Sequence, residues 1–111
     1  MPYHKGAAPK NALLLMKSRY CAYATQNSNY IIKTTHKNND DFTEDKAKWN
    51  KSIKAFCTQT EFLGLEIIKA DLNDDISYVT FKAKLSTGDI LEKSRFVFED
   101  GVWLYESGDM L

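Results

Sequence analysis

ISYVTFKAKLSTGDILEKSRFVFEDGVWLYES, residues 76–107, decides the fold class. Its first ten residues alternate cleanly. Val79, Phe81, Ala83 and Leu85 fall on one face, and Tyr78, Thr80, Lys82 and Lys84 on the other, which is the period of a half-buried strand. STGD (86–89) is a tight connection, and ILEKSRFVF (90–98) is a second strand. EDG (99–101) carries an Asp-Gly hairpin signal, and VWLYES (102–107) follows as a third strand. EFLGLEIIKA (61–70), just upstream, is also β-rich, with Gly64 as a point for a bulge or a close backbone approach. Strands joined by connections this short pair as an antiparallel meander.

The first half of the chain reads differently. Spacing at about 100° per residue predicts a helix over residues 10–25. Its apolar half holds Ala12, Leu13, Leu15, Met16, Arg19, Tyr20, Ala22 and Tyr23; Leu14, Lys17, Ser18 and Cys21 fall on the other half. QNSN (26–29) breaks that helix and caps a second, Tyr30–His36. KNNDD (37–41) is a loop, and a third helix follows Thr43 as N-cap, with a stripe of Trp49, Ile53 and Phe56. Residues 1–10 hold both prolines and read as an extended arm before one domain over 11–111. Helices first and meander after is an α+β pattern, with helices packed on one face of a curved sheet.

Arg19 is the anomaly, because a cation lies in the middle of the greasiest helical face. In strand 90–98, Glu92, Ser94, Phe96 and Phe98 share a face, and the two phenylalanines make it the inner one. An inward carboxylate and an inward guanidinium invite pairing, since a buried charge without a partner costs several kcal/mol. The expectation is an internal Arg19–Glu92 pair completed by Ser94, Tyr20 or Tyr23. Such a pair either fixes how the first helix docks or lines a pocket that orients a ligand. His36, at the end of the second helix, either interacts with the last carbonyls or serves as an acid/base or ligand contact at the pocket mouth. The pocket candidates are Arg19, Tyr20, Tyr23, His36, Glu92 and Ser94. Tyr30, Trp49 and Trp103 read as core or pocket wall.

Composition narrows the function. Lys+Arg and Asp+Glu both total 15, so the formal charge is zero, which argues against a nucleic-acid partner. The two cysteines, Cys21 and Cys57, lack CxxC spacing, so no metal site is expected and free thiols in a cytoplasmic protein are. No apolar run approaches the ~20 residues of a membrane span, and the charged N-terminus lacks the apolar core of a secretory signal. No nucleophile–base pair stands out, and no cofactor is expected.

The blocks LMKSRYCAYATQNSNYIIKTTH (15–36), FLGL (62–65), VTFKAKL (79–85) and LEKSRFVFEDGVWLY (91–105) resemble the YchJ family of small bacterial SEC-C-motif proteins. The similarity spans essentially the whole chain. It implies a central NTF2-like, cystatin-like α+β cone, with N-terminal helices on a curved antiparallel sheet. The cysteine-rich SEC-C zinc motifs that usually flank that domain do not occur in these residues, so zinc binding is not implied. Thr35 stands where the family often has tryptophan, Lys37 where it has proline, and Phe62 where tryptophan is common. That implies a wider, more polar mouth near His36.

Because SEC-C motifs recruit partners, the resemblance implies a non-catalytic module that binds a small ligand or a protein, with the sheet face of Tyr78, Thr80, Lys82 and Lys84 offering a homodimer surface. The alternative is a pocket enzyme of the isomerase, dehydratase or hydrolase class, using His36 with Arg19 and Glu92.

Overall fold

The computed structural model describes residues 8–111, so most of the arm expected over 1–10 lies outside the described residues. Three helices, α1 (Ala12–Ala24), α2 (Ser28–Lys33) and α3 (Lys46–Gln59), precede four strands, β1 (Phe62–Asp71), β2 (Ile76–Leu85), β3 (Ile90–Glu99) and β4 (Val102–Met110). The strands form one sheet in the order β1-β2-β3-β4, and every neighbouring pair is antiparallel. This is the α+β meander that the alternation in 76–107 predicts. Asp100 and Gly101 both have positive φ, 53° and 81°, the two-residue turn that an Asp-Gly step favours. A register shift between Phe62 and Gly64 places an irregularity where the glycine suggested one.

The helix boundaries show what local patterns miss. α1 starts after Asn11, whose side chain accepts from the Leu14 N–H at 2.9 Å. The α3 cap is Asp45 rather than Thr43: Asp45 Oδ1 accepts from Lys48 N–H at 3.2 Å, while the Thr43 hydroxyl accepts from the Asp45 N–H just before the helix. α2 ends at Lys33, short of the expected His36. The sheet is the reason. Tyr105 N–H donates to the Thr34 carbonyl and His36 N–H donates to the Tyr105 carbonyl, both at 2.8 Å, so residues 34–36 leave the helix to run beside β4.

One core cluster joins α1 to the sheet through Ala12, Leu15, Met16, Val79, Phe96 and Trp103. A second joins the helices through Ala22, Tyr30, Ile31, Trp49, Ile53 and Cys57. α1 is therefore covered from two directions, and Ser18, expected on its outer half, is fully buried. Its hydroxyl donates to the Leu15 carbonyl at 2.7 Å and meets the Tyr30 hydroxyl at 2.5 Å. Phe98 also departs from expectation: it is 45% exposed beside the β3–β4 turn, where its ring tilts against Trp103. Among the described residues no helix is long and apolar enough to cross a membrane.

Candidate functional site

A cavity of about 210 Å³ lies between the C-terminal half of α1 and the side of the sheet that faces it. Its wall is mostly apolar and aromatic. Tyr20 meets Phe62 edge-on at 5.7 Å, Tyr23 stacks on Phe62 at 6.2 Å, and Phe56 of α3 abuts both Tyr23 and Phe62. Met16, Phe81, Leu85 and Phe96 extend the wall. Helical spacing of i, i+3, i+4, i+7 delivers Met16, Arg19, Tyr20 and Tyr23 from one face of α1. Strand alternation delivers Glu92, Ser94 and Phe96 from β3.

The polar end is built from three elements. Arg19 is buried, at 7% exposure. Its Nη1 donates to the Ile31 carbonyl at 3.1 Å and to the hydroxyls of Thr34 at 2.7 Å and Thr35 at 3.1 Å. These oxygens face it because α2 unwinds at Thr34. The guanidinium carbon also sits 4.6 Å from the centre of the Tyr105 ring, a cation–π contact. Glu92 Oε2 accepts from the Ser94 hydroxyl and, at 3.4 Å, from the Tyr105 hydroxyl. Burial pushes the Tyr105 phenol well above its ordinary range, and the Glu92 carboxylate adds to the rise. Burial also raises the Tyr23 phenol, against the opposing pull of Arg19.

The direct Arg19–Glu92 ion pair expected from the sequence does not form. Both side chains line the same cavity, but the Tyr105 ring stands against the guanidinium and its hydroxyl reaches the carboxylate. Arg19 satisfies Nη1 with neutral oxygens of α2 and the turn after it, an option invisible until α2 is docked. Thr35 is one of those partners.

His36 is the candidate that the structure sets apart. It is buried but is not among the residues lining the cavity. Its Nδ1 accepts from the Asn38 N–H at 3.0 Å, which leaves Nε2 to carry the proton towards the Glu99 carboxylate. Glu106 lies 3.9 Å from the same Nδ1. Its other carboxylate oxygen lies 2.8 Å from Arg95 Nε, a charge contact whose N–H is poorly aligned for a hydrogen bond. Hence Arg19, Tyr20, Tyr23, Glu92 and Ser94 come together, and His36 belongs to a separate charged cluster on β3 and β4.

Two residues of the site escaped the sequence reading. Tyr105 had a signal, since it is two residues from Trp103 on the same face of a strand. Gly108 had none. A Cβ there would lie 2.5 Å from both Cδ and Oε2 of Glu92 and 2.6 Å from the Tyr105 hydroxyl, so the glycine is the floor on which the carboxylate rests. Its neighbour across the ladder is Ser94.

The family model for "YchJ, middle NTF2-like domain" matches residues 11–108. The chain belongs to this family. Solved structures share the fold. A SEC-C motif containing protein from Rhodopseudomonas palustris is 24% identical, with a TM-score of 0.80 over 96% of this chain and 84% of that one. Another from Psychrobacter arcticus is 27% identical, with a TM-score of 0.76 over 96% of this chain and 67% of that one. A putative calcium/calmodulin dependent protein kinase II association domain from Xanthomonas campestris is 14% identical, with a TM-score of 0.56 over 95% of this chain and 91% of that one; it shares the fold.

Proposed function

We propose that residues 11–111 form one cytoplasmic, non-catalytic binding domain whose cavity takes a small ligand. The observation that carries this reading is a mostly apolar, aromatic-walled cavity that ends in Arg19, Glu92 and Tyr105. Small-molecule sites have this composition: an apolar wall with a few placed polar groups. Glu92, the carboxylate in the cavity, is already tied to Ser94 and Tyr105, and His36, the base that an enzyme reading needs, sits elsewhere with Glu99. Melting temperature measured against a metabolite library tests the proposal, because a ligand held only by the folded state must raise it. A hit should be recovered chemically unchanged. If no compound shifts the melt, or a hit is consumed, the reading fails.

A second reading is self-association through the outer sheet face that bears Tyr78, Thr80, Lys82 and Lys84. Exposed Leu63 and Ile68 on β1 favour it, as does the association domain that shares the fold. Light scattering across a concentration series decides it: a constant monomer mass removes it. The zero formal charge supports leaving nucleic acid out of both readings.

A further inference from the structure

The cavity's polar end is electrically unusual. Arg19 and Glu92 are the two charged residues among those lining it, they have opposite sign, and they are not paired with each other. Only Nη1 of Arg19 has acceptors among the described residues, so the N–H groups of Nε and Nη2 are left for the cavity. Only Oε2 of Glu92 has donors among the described residues, so Oε1 is left as an acceptor. A buried guanidinium with unused donors and a half-buried carboxylate with an unused acceptor thus stand at one end of an apolar chamber, the first over the Tyr105 ring and the second at its hydroxyl.

Charge balance then selects the occupant. An organic anion would satisfy Arg19 but would stand near a carboxylate in a poorly screened site; a cation would satisfy Glu92 but face the guanidinium. A molecule with no net charge, offering an acceptor to Arg19 and a donor to Glu92, answers both. We infer that the cavity selects a small, net-neutral molecule carrying an acceptor and a donor side by side on an apolar body, the chemistry shared by an α-amino acid zwitterion and a primary carboxamide. This rests on the reading of the cavity as a ligand site. The volume sets the size. An apolar cavity of roughly 150 Å³ accepts benzene, so about 210 Å³ suits roughly eight or nine heavy atoms.

The test uses four probes with one branched apolar body and different heads: L-leucine, isocaproamide, isocaproate and isoamylamine. Binding to the intact chain is followed by melting temperature and by resonance shifts of the cavity-lining residues. L-leucine, isocaproamide or both should bind at least tenfold more tightly than isocaproate and isoamylamine, and whichever of the two neutral probes is tighter identifies the head. Glu92→Gln should strengthen isocaproate at least tenfold and weaken isoamylamine, a reordering that a merely structural carboxylate would not produce. Isocaproate or isoamylamine binding as tightly as the neutral probes overturns the inference, as does an unchanged order in Glu92→Gln. Benzene separates the two levels of the argument. If it shifts the cavity resonances while all four probes fail, the selectivity is wrong and the ligand cavity stands. If it too fails, both are wrong.

Discussion

Replacing Gly108 with alanine probes the site with a single methyl group. The backbone at this position is ordinary extended strand, so the demand for glycine is one of space alone. The new Cβ would be 2.5 Å from Glu92 Cδ and Oε2 and 2.6 Å from the Tyr105 hydroxyl, whereas ordinary contact begins near 3.4 Å. Both tips must retreat by roughly 1 Å, which is within the reach of side-chain rotation. The overpacking cost should therefore sit at the low end of ~1–3 kcal/mol. Relief from glycine's conformational entropy in a strand returns about 0.5–1 kcal/mol. A net loss of about 1 kcal/mol or less lowers the melting temperature by up to roughly 4–8 °C in a chain of this size. The ligand site should suffer far more, because the displaced carboxylate loses its donors from Ser94 and Tyr105, and each hydrogen bond to a charged group is worth about 1.5–3 kcal/mol. Binding of a ligand that donates to Glu92 should fall at least ~10-fold, since that is about 1.4 kcal/mol. Thermal melts and ligand titrations of the wild type, Gly108→Ala, Glu92→Ala and the double variant measure this. Glu92→Ala removes two of the three close contacts, so the added methyl should be neutral or stabilising in that background, with a coupling of about 1 kcal/mol. Additive melts, or a Gly108→Ala variant that binds as the wild type does, would refute the reasoning.

Other outcomes follow from the same geometry. Arg19→Met removes the tie from α1 to Ile31, Thr34 and Thr35 and also removes a buried charge; urea denaturation should show a loss of about 1–3 kcal/mol, and ligand response should vanish. Alkaline titration should show Tyr105 ionising late. Its folded pKa is raised by burial and by Glu92, so above the ordinary phenol value of about 10 the unfolded chain releases a proton that the folded chain keeps. Stability, whole below that pH, should decline as pH rises beyond it, and Tyr105→Phe should flatten the decline. Mass-spectrometric thiol labelling should find Cys21, half-buried, at least ~10-fold faster than Cys57, which is 5% exposed and whose thiol burial pushes up. His36→Ala should cost about 1–3 kcal/mol by breaking its contacts to Glu99 and Asn38, yet leave cavity affinity within about twofold; lost binding would contradict its separation from the site.

Much of this protein was decided by its sequence alone. Period-two alternation at 76–85, an Asp-Gly step at 100–101 and short connections admit few arrangements other than an antiparallel meander, because side-chain period and turn chemistry are local properties. The same patterns place Arg19, Tyr20 and Tyr23 on one helix face and Glu92 and Ser94 on one strand face. What those residues touch was decided by the tertiary structure. Arg19 found neutral oxygens of α2 instead of Glu92, His36 was drawn away from the cavity when residues 34–36 joined β4, and Gly108 became part of the site because the Glu92 carboxylate of the neighbouring strand rests on it. The physical reason is range. Burial and periodicity are written into neighbouring residues, whereas a buried charge takes whichever partner the docking of distant elements brings within about 3 Å.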